Sequence, residues 1–232
     1  MENKITVLGS GTCVSSLYKS FDFRNPSGHL IQFNGINILI DCAEGMRAQM
    51  DEIRFDYFDL KYIFITHFHP DHFNLDSLIQ SIYVRARKSE IKKSLIVYGP
   101  KNIEEKFETS WNSKHAKGHY KDSLLKVLDL KFIEYEAERE IEISKALKSI
   151  SYQVSHGEMD AYALRFLLGN KIVSYSGDSG VCEGIRKASL NSEIFLCEAA
   201  ININDNENNT KAHLSYFLAG EIAKKSNVGK LV

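Results

Sequence analysis

The sequence predicts an α/β protein, with two sheets packed face to face and helices outside them. Three observations predict it. Short apolar strands come first in meander pairs and later alternate with helices, which suits a layered αββα sandwich better than a doubly wound parallel sheet. Asn34-Gly35 separates two apolar runs, a strong short-range signal for a β-hairpin. The chain has 232 residues, 44% hydrophobic and 25% charged, enough to bury a sizeable core as one folded domain over 1–232.

The elements follow in order. Residues 5–8 are an apolar strand that stops at Gly9-Ser10-Gly11. Residues 30–33 and 36–40 are the hairpin arms, and 43–53 forms a helix. Residues 62–65 are a strand that runs straight into a histidine-rich turn. Beyond the turn, 75–86 is helical, and 95–98 is a strand stopped by Gly99-Pro100. A helix is expected over 103–109, and 111–121, the least regular stretch, is expected to be a mobile insert. Strands follow at 132–135, 150–154, 162–166, 172–175 and 194–197. After the polar loop 202–211 come a helix at 214–225 and the start of another strand at 230–232.

Composition excludes several classes. The net charge is -1, with 29 basic and 30 acidic residues, so any phosphate contact must come from a local patch. The basic runs, 85–93 and the group Lys114, Lys117 and Lys121, read first as solvated helix faces. No apolar run approaches the ~20 residues of a membrane span, and the N-terminus lacks the pattern of a signal peptide. Cys13, Cys42, Cys182 and Cys197 form no CxxC pair and read as reduced thiols of a cytoplasmic protein. Gly9-x-Gly11 is no dinucleotide fingerprint, because Val14 stands where the third glycine would fall. The stretch 204–208 lacks the central glycine and final glutamate of a calcium loop, and Asn208-Asn209-Thr210 only fits a glycosylation acceptor.

The chemistry sits in Thr66-His67-Phe68-His69-Pro70-Asp71-His72, which holds three of the eight histidines. Neutral imidazole is the commonest ligand of zinc-like ions, and carboxylate partners it well. After an extended strand, His67 and His69 point to one side and can grip one ion. Asp71 and His72, past a turn stiffened by Pro70, can face a second. His156 and Asp178 each follow a strand and join the cluster as candidate ligands.

On these residues the chain resembles the metallo-β-lactamase superfamily, and within it the ribonuclease Z-like branch. His67-x-His69-x-Asp71-His72 matches the superfamily signature, His156 falls at the next ligand and Asp178 at the bridging aspartate. Asp41 resembles the buried aspartate that supports the histidine loop. Arg24-Asn25 resembles the branch's substrate-side loop, and the strand ending Gly99-Pro100 resembles its counterpart. Cys197-Glu198-Ala199 resembles the His-Glu-Ala-Thr loop, and Ala212-His213-Leu214-Ser215 the His-Ser-Thr loop.

The resemblance covers nearly the whole chain and implies the four-layer metallo-β-lactamase fold. It also implies two divalent ions, zinc first and manganese or iron as alternatives. A last ligand His would fall about three residues past Val232, so the chain is expected to be truncated there or short of one ligand. The branch's long tRNA-binding arm is absent, since only 21 residues separate His156 from Asp178.

The function expected is a metal-dependent phosphodiesterase acting on RNA or a small phosphodiester. His67, His69 and His156 would form one site, and Asp71 and His72 the second, with Asp178 bridging. Glu198 would orient His213, which would stabilise charge or protonate the leaving oxygen. Arg24 would grip phosphate. The alternatives are hydrolysis of lactones or thioesters on the same ions, and a non-catalytic metal carrier. A homodimer follows from the resemblance alone.

Overall fold

The computed structural model describes residues 3–12, 24–201 and 211–232. Cys13, the stretch 204–208 and the acceptor at Asn208 lie outside them. The chain divides into two compact units, Met1–Glu134 and Tyr135–Val232.

The first unit is built on a six-stranded sheet in sequence order. Its strands are β1 (Lys4–Gly9), β2 (Gly28–Phe33), β3 (Ile36–Ile40), β4 (Tyr62–Phe64), β5 (Lys93–Gly99) and β6 (Leu128–Glu134). The first three are antiparallel and the rest parallel, so the sheet is mixed. The hairpin closes as expected. Asn34 and Gly35 take φ of 49° and 77°, and Phe33 pairs with Ile36; positive φ at both centres is what a two-residue hairpin turn with the strands' twist requires.

Helix α1 (Met46–Glu52) starts later than expected because Gly45, at φ 79°, breaks the helical path. Helix α2 (Asp76–Ser89) buries Leu78, Ile79, Ile82, Tyr83 and Ala86, one face at helical spacing, in a core with Leu39, Ile63 and Val97.

The mobile insert expected at 111–121 is corrected. Helix α3 (Ile103–Lys114) runs through its first residues, and a π-helical turn (Tyr120–Leu124) closes it. Trp111 and Tyr120 are fully buried. The Trp111 indole stacks on His115 at 4.1 Å between centroids, and its Nε1–H donates to His119 Nδ1 at 3.0 Å. The polar composition of 111–121 therefore hides an aromatic core contact. Three of the basic residues nearby pair with carboxylates: Arg85 meets Asp56 at 2.5 Å, Lys114 meets Asp76 at 2.8 Å and Lys121 lies 3.7 Å from Glu108.

The second unit carries another six-stranded mixed sheet, in the order β12-β11-β10-β9-β8-β7. Its strands are β7 (Glu140–Ser144), β8 (Leu147–Val154), β9 (Ala161–Leu168), β10 (Lys171–Tyr175), β11 (Ile194–Leu196) and β12 (Lys230–Leu231). Two elements go beyond the sequence reading. Strand β7, Glu-Ile-Glu-Ile-Ser, is a polar edge strand antiparallel to β8. Helix α4 (Glu183–Ser189) holds Gly184, where a Cβ would fall 1.9 Å from the Gln153 carbonyl oxygen. That glycine lets the helix lie against β8, although it lowers helix propensity. Arg165 on β9 closes the helix end by donating to the carbonyls of Ala188 (2.9 Å) and Leu190 (2.6 Å). Helix α5 (Tyr216–Lys225) packs Ala219, Ile222 and Ala223 inward.

Among the described residues, Cys42, Cys182 and Cys197 are free thiols, and no helix is long and apolar enough to cross a membrane.

Candidate metal centre

The first ligand set grows from the end of β4. Past Phe64 the Ile65 N–H still donates to the Tyr98 carbonyl of β5 at 2.8 Å, and Thr66 and His67 are fully buried. Asp41, just past β3, organises them. Its carboxylate has no solvent exposure and accepts the Thr66 N–H at 2.8 Å, the Thr66 hydroxyl at 3.0 Å and His72 Nδ1 at 2.7 Å. Its φ of 54° is a left-handed conformation that Asp tolerates better than most residues.

These bonds fix tautomers. Because the Thr66 hydroxyl donates to Asp41, its oxygen accepts from His67 Nδ1–H at 3.1 Å. His67 Nε2 then carries a lone pair and faces His69 Nδ1 at 3.1 Å. Two imidazole nitrogens on one tetrahedral ion stand about 3.3 Å apart, from bonds of ~2.0–2.1 Å. The observed separation fits that bite. The His72 Nδ1–Asp41 bond puts the proton on Nδ1 and the lone pair on Nε2 in the same way. The His72 ring lies 4.2 Å from that of His67, centroid to centroid. Asp71 is half-buried in the same turn. Among the described residues, neither Asp71 nor His72 joins a trio of ligand atoms within 4.8 Å of one another.

The second ligand set lies in the other unit, at the ends of β8, β10 and β11. His156 gives its Nδ1–H to the Ala212 carbonyl at 2.8 Å, which leaves Nε2 to bind. Asp178 Oδ2 lies 3.8 Å from His156 Nε2 and 3.9 Å from His213 Nδ1, beyond direct hydrogen bonding. His213 Nδ1 reaches the Glu198 oxygens at 3.2 and 3.3 Å. Asp178, Glu198 and His213 each offer a ligand atom within 4.8 Å of the others. Glu198 is fixed by the Ser179 N–H at 2.6 Å. Burial, then the Asp178 charge, pushes its carboxyl above the usual range, while His213 and Ser179 pull it back.

Arg24 is exposed, and the Asn25 carbonyl accepts the Gly11 N–H at 2.8 Å. This explains the glycines that ended β1. A Cβ at Gly9 would fall 2.0 Å from the Pro26 carbonyl oxygen, and one at Gly11 2.5 Å from that of Arg24. They let the Arg24–Asn25 segment lie against β1. Thr66 and Ser179 are the residues sequence reasoning missed. Thr66 lies inside the quoted histidine motif and acts through its amide and hydroxyl, and Ser179 follows Asp178 and acts through its amide; neither role carries a compositional signal.

Imidazole and carboxylate donors with a preset tautomer fit a divalent zinc-like ion. The fold belongs to a known class. The crystal structure of YhfI from Bacillus subtilis, a metallo-β-lactamase fold protein, superposes with a TM-score of 0.73 at 20% identity, over 98% of this chain and 83% of that one. The human short-form tRNase Z gives 0.76 at 19% identity, over 98% and 90%. The chain thus has the metallo-β-lactamase fold. The ribonuclease Z of Pyrococcus horikoshii is 27% identical over 252 residues, covering 90% of this chain and 80% of that protein. A family model described as Anti-Pycsar protein Apyc1 matches residues 3–219, and the chain belongs to that family.

Proposed function

We propose that this protein is a metal-dependent phosphodiesterase that uses two divalent ions, zinc first, on a small phosphodiester. The facing nitrogens of His67 and His69, 3.1 Å apart with the tautomer preset by Thr66, carry the reading. By resemblance, His67, His69 and His156 would hold one ion and Asp71 and His72 the other, with Asp178 contributing to both. When bound, such ions lower the pKa of water and stabilise phosphoryl charge.

The chain's own groups supply the rest. Asp41 keeps the His72 proton on Nδ1, and the Ala212 carbonyl does the same for His156. Glu198 holds His213 by Nδ1, and His213 as a cation would deliver the Nε2 proton to the leaving oxygen. The cationic guanidinium of Arg24 binds the phosphate. The 21 residues between His156 and Asp178 are taken up by β9 and β10, with no arm for a folded RNA, which favours a small substrate. The free thiols suit a cytoplasmic setting.

The test is hydrolysis of bis(p-nitrophenyl) phosphate against a thioester and a lactone by the zinc-loaded chain. Preference for the phosphodiester, abolished in His69→Ala, is expected. Preference for an acyl substrate, or activity that survives His69→Ala, refutes the reading, and bound metal without turnover makes the protein a carrier. Sedimentation of the same sample reads the homodimer that the resemblance implies.

A further inference from the structure

We propose that Tyr216 and Phe217 form a stacking platform for a nucleobase of the substrate; this rests on the phosphodiesterase reading above. They are 66% and 52% exposed, and among the described residues no other aromatic side chain is classed as exposed. Among the described residues every other large ring is wholly or partly covered, so this pair stands out as the most exposed aromatic surface there.

Their position is fixed next to His213. They are the first two residues of helix α5, whose buried face is Ala219, Ile222 and Ala223. The Ser215 side chain caps that helix by accepting the Leu218 N–H at 3.3 Å. The segment before it is stitched down at three carbonyls. Lys211 accepts from the Ser155 hydroxyl (2.7 Å), Ala212 from His156 (2.8 Å) and Leu214 from the Ile201 N–H (3.2 Å). Three residues span at most about 11 Å between the Cα atoms of His213 and Tyr216.

A rigid strap therefore carries both the group assigned to the leaving oxygen and two exposed rings. Aromatic rings beside a phosphodiester site bind bases through their faces, tolerantly of base identity. A ligand without a base gains nothing from them. The platform thus selects nucleotide phosphodiesters over simple ones and contributes to binding rather than to bond cleavage.

The test compares the full chain with the Tyr216→Ala/Phe217→Ala double variant. Adenosine 5′-monophosphate is titrated into each, with and without zinc, while the base H2 and H8 proton shifts are followed. Upfield ring-current shifts are expected with the unaltered chain, and an apparent Kd about ten-fold weaker in the variant, the usual loss of a base–aromatic stack. Equal affinities, or no ring-current shift with the unaltered chain, overturn the proposal. In the same variant, the ratio of kcat/KM for thymidine 5′-(p-nitrophenyl phosphate) over methyl p-nitrophenyl phosphate is expected to fall about ten-fold; an unchanged ratio overturns it. If the unaltered chain cleaves neither ester, the phosphodiesterase reading fails, and the nucleotide titration still decides the stacking. A variant that turns a dimer into a monomer with equal nucleotide affinity assigns the rings to self-association and overturns the platform.

Discussion

Replacing Asp41 by Asn keeps the shape of a fully buried side chain and removes its charge. In the variant, Oδ1 keeps the Thr66 amide, and the new NH2 group faces His72 Nδ1, which Asp41 Oδ2 meets at 2.7 Å. His72 Nδ1 must then accept, and the imidazole proton moves to Nε2, the atom that would bind an ion. Two magnitudes follow. A hydrogen bond to a charged group contributes about 1.5–3 kcal/mol, so the metal-free variant is expected to be about 2 kcal/mol less stable. Zinc affinity is expected to fall ~10–100-fold, the usual effect of changing the group that orients a metal-binding histidine. Denaturant titration with chelator present reads the first, and competition against a chromophoric chelator reads the second. Asp41→Ala removes the acceptor of all three bonds and is expected to cost more, about 3–5 kcal/mol. A folded Asp41→Asn variant with undiminished zinc affinity refutes the tautomer argument.

Three further outcomes are expected. Trp111→Ala empties a fully buried site and is expected to cost about 3–5 kcal/mol in denaturant titration, and in the unaltered protein the amides of 103–114 should exchange slowly; fast exchange there restores the mobile insert. Arg165→Met strips both carbonyl bonds from the end of α4 and is expected to cost about 2–3 kcal/mol, whereas a loss below ~0.5 kcal/mol makes the contact incidental. The His29 imidazole is pushed below its ordinary 6.5, first by burial. Below pH 6.5 the unfolded chain then binds more protons at this residue than the folded one. Its stability contribution is complete above that pH and is lost as pH falls through the window, at up to about 1.4 kcal/mol per pH unit. His29→Asn is expected to flatten that slope in denaturant titrations between pH 7 and 5, and an unchanged slope removes His29 as its source.

Local signals made much of this fold legible. Asn34-Gly35 dictated its own turn, and the apolar runs gave the central strands within one to three residues at each end. The histidine set was legible because metal chemistry limits residue type and spacing. What escaped was held by tertiary contact. Strand β7 shows the Glu-Ile-Glu-Ile alternation of a half-buried strand, but it carries charge on one face and lies at the sheet edge. Helix α4 contains Gly184, which locally argues against a helix; its close approach to Gln153 supplies the reason. Residues 111–121 look like a loop until Trp111, His115 and His119 are seen to stack. The second ligand set was harder than the first because its members come from three strand ends and no spacing in the chain ties them together.

The proposed phosphodiesterase requires that the two ligand sets bind the ions that enable hydrolysis. Native mass spectrometry of the metal-free chain during zinc titration, with p-nitrophenol release from bis(p-nitrophenyl) phosphate followed alongside, tests it most directly. Uptake of two zinc ions per chain is expected, with turnover rising as they bind, and loss of an ion and of turnover in Asp178→Asn. Turnover by the fully metal-free chain, or a chain that takes up no zinc, contradicts it.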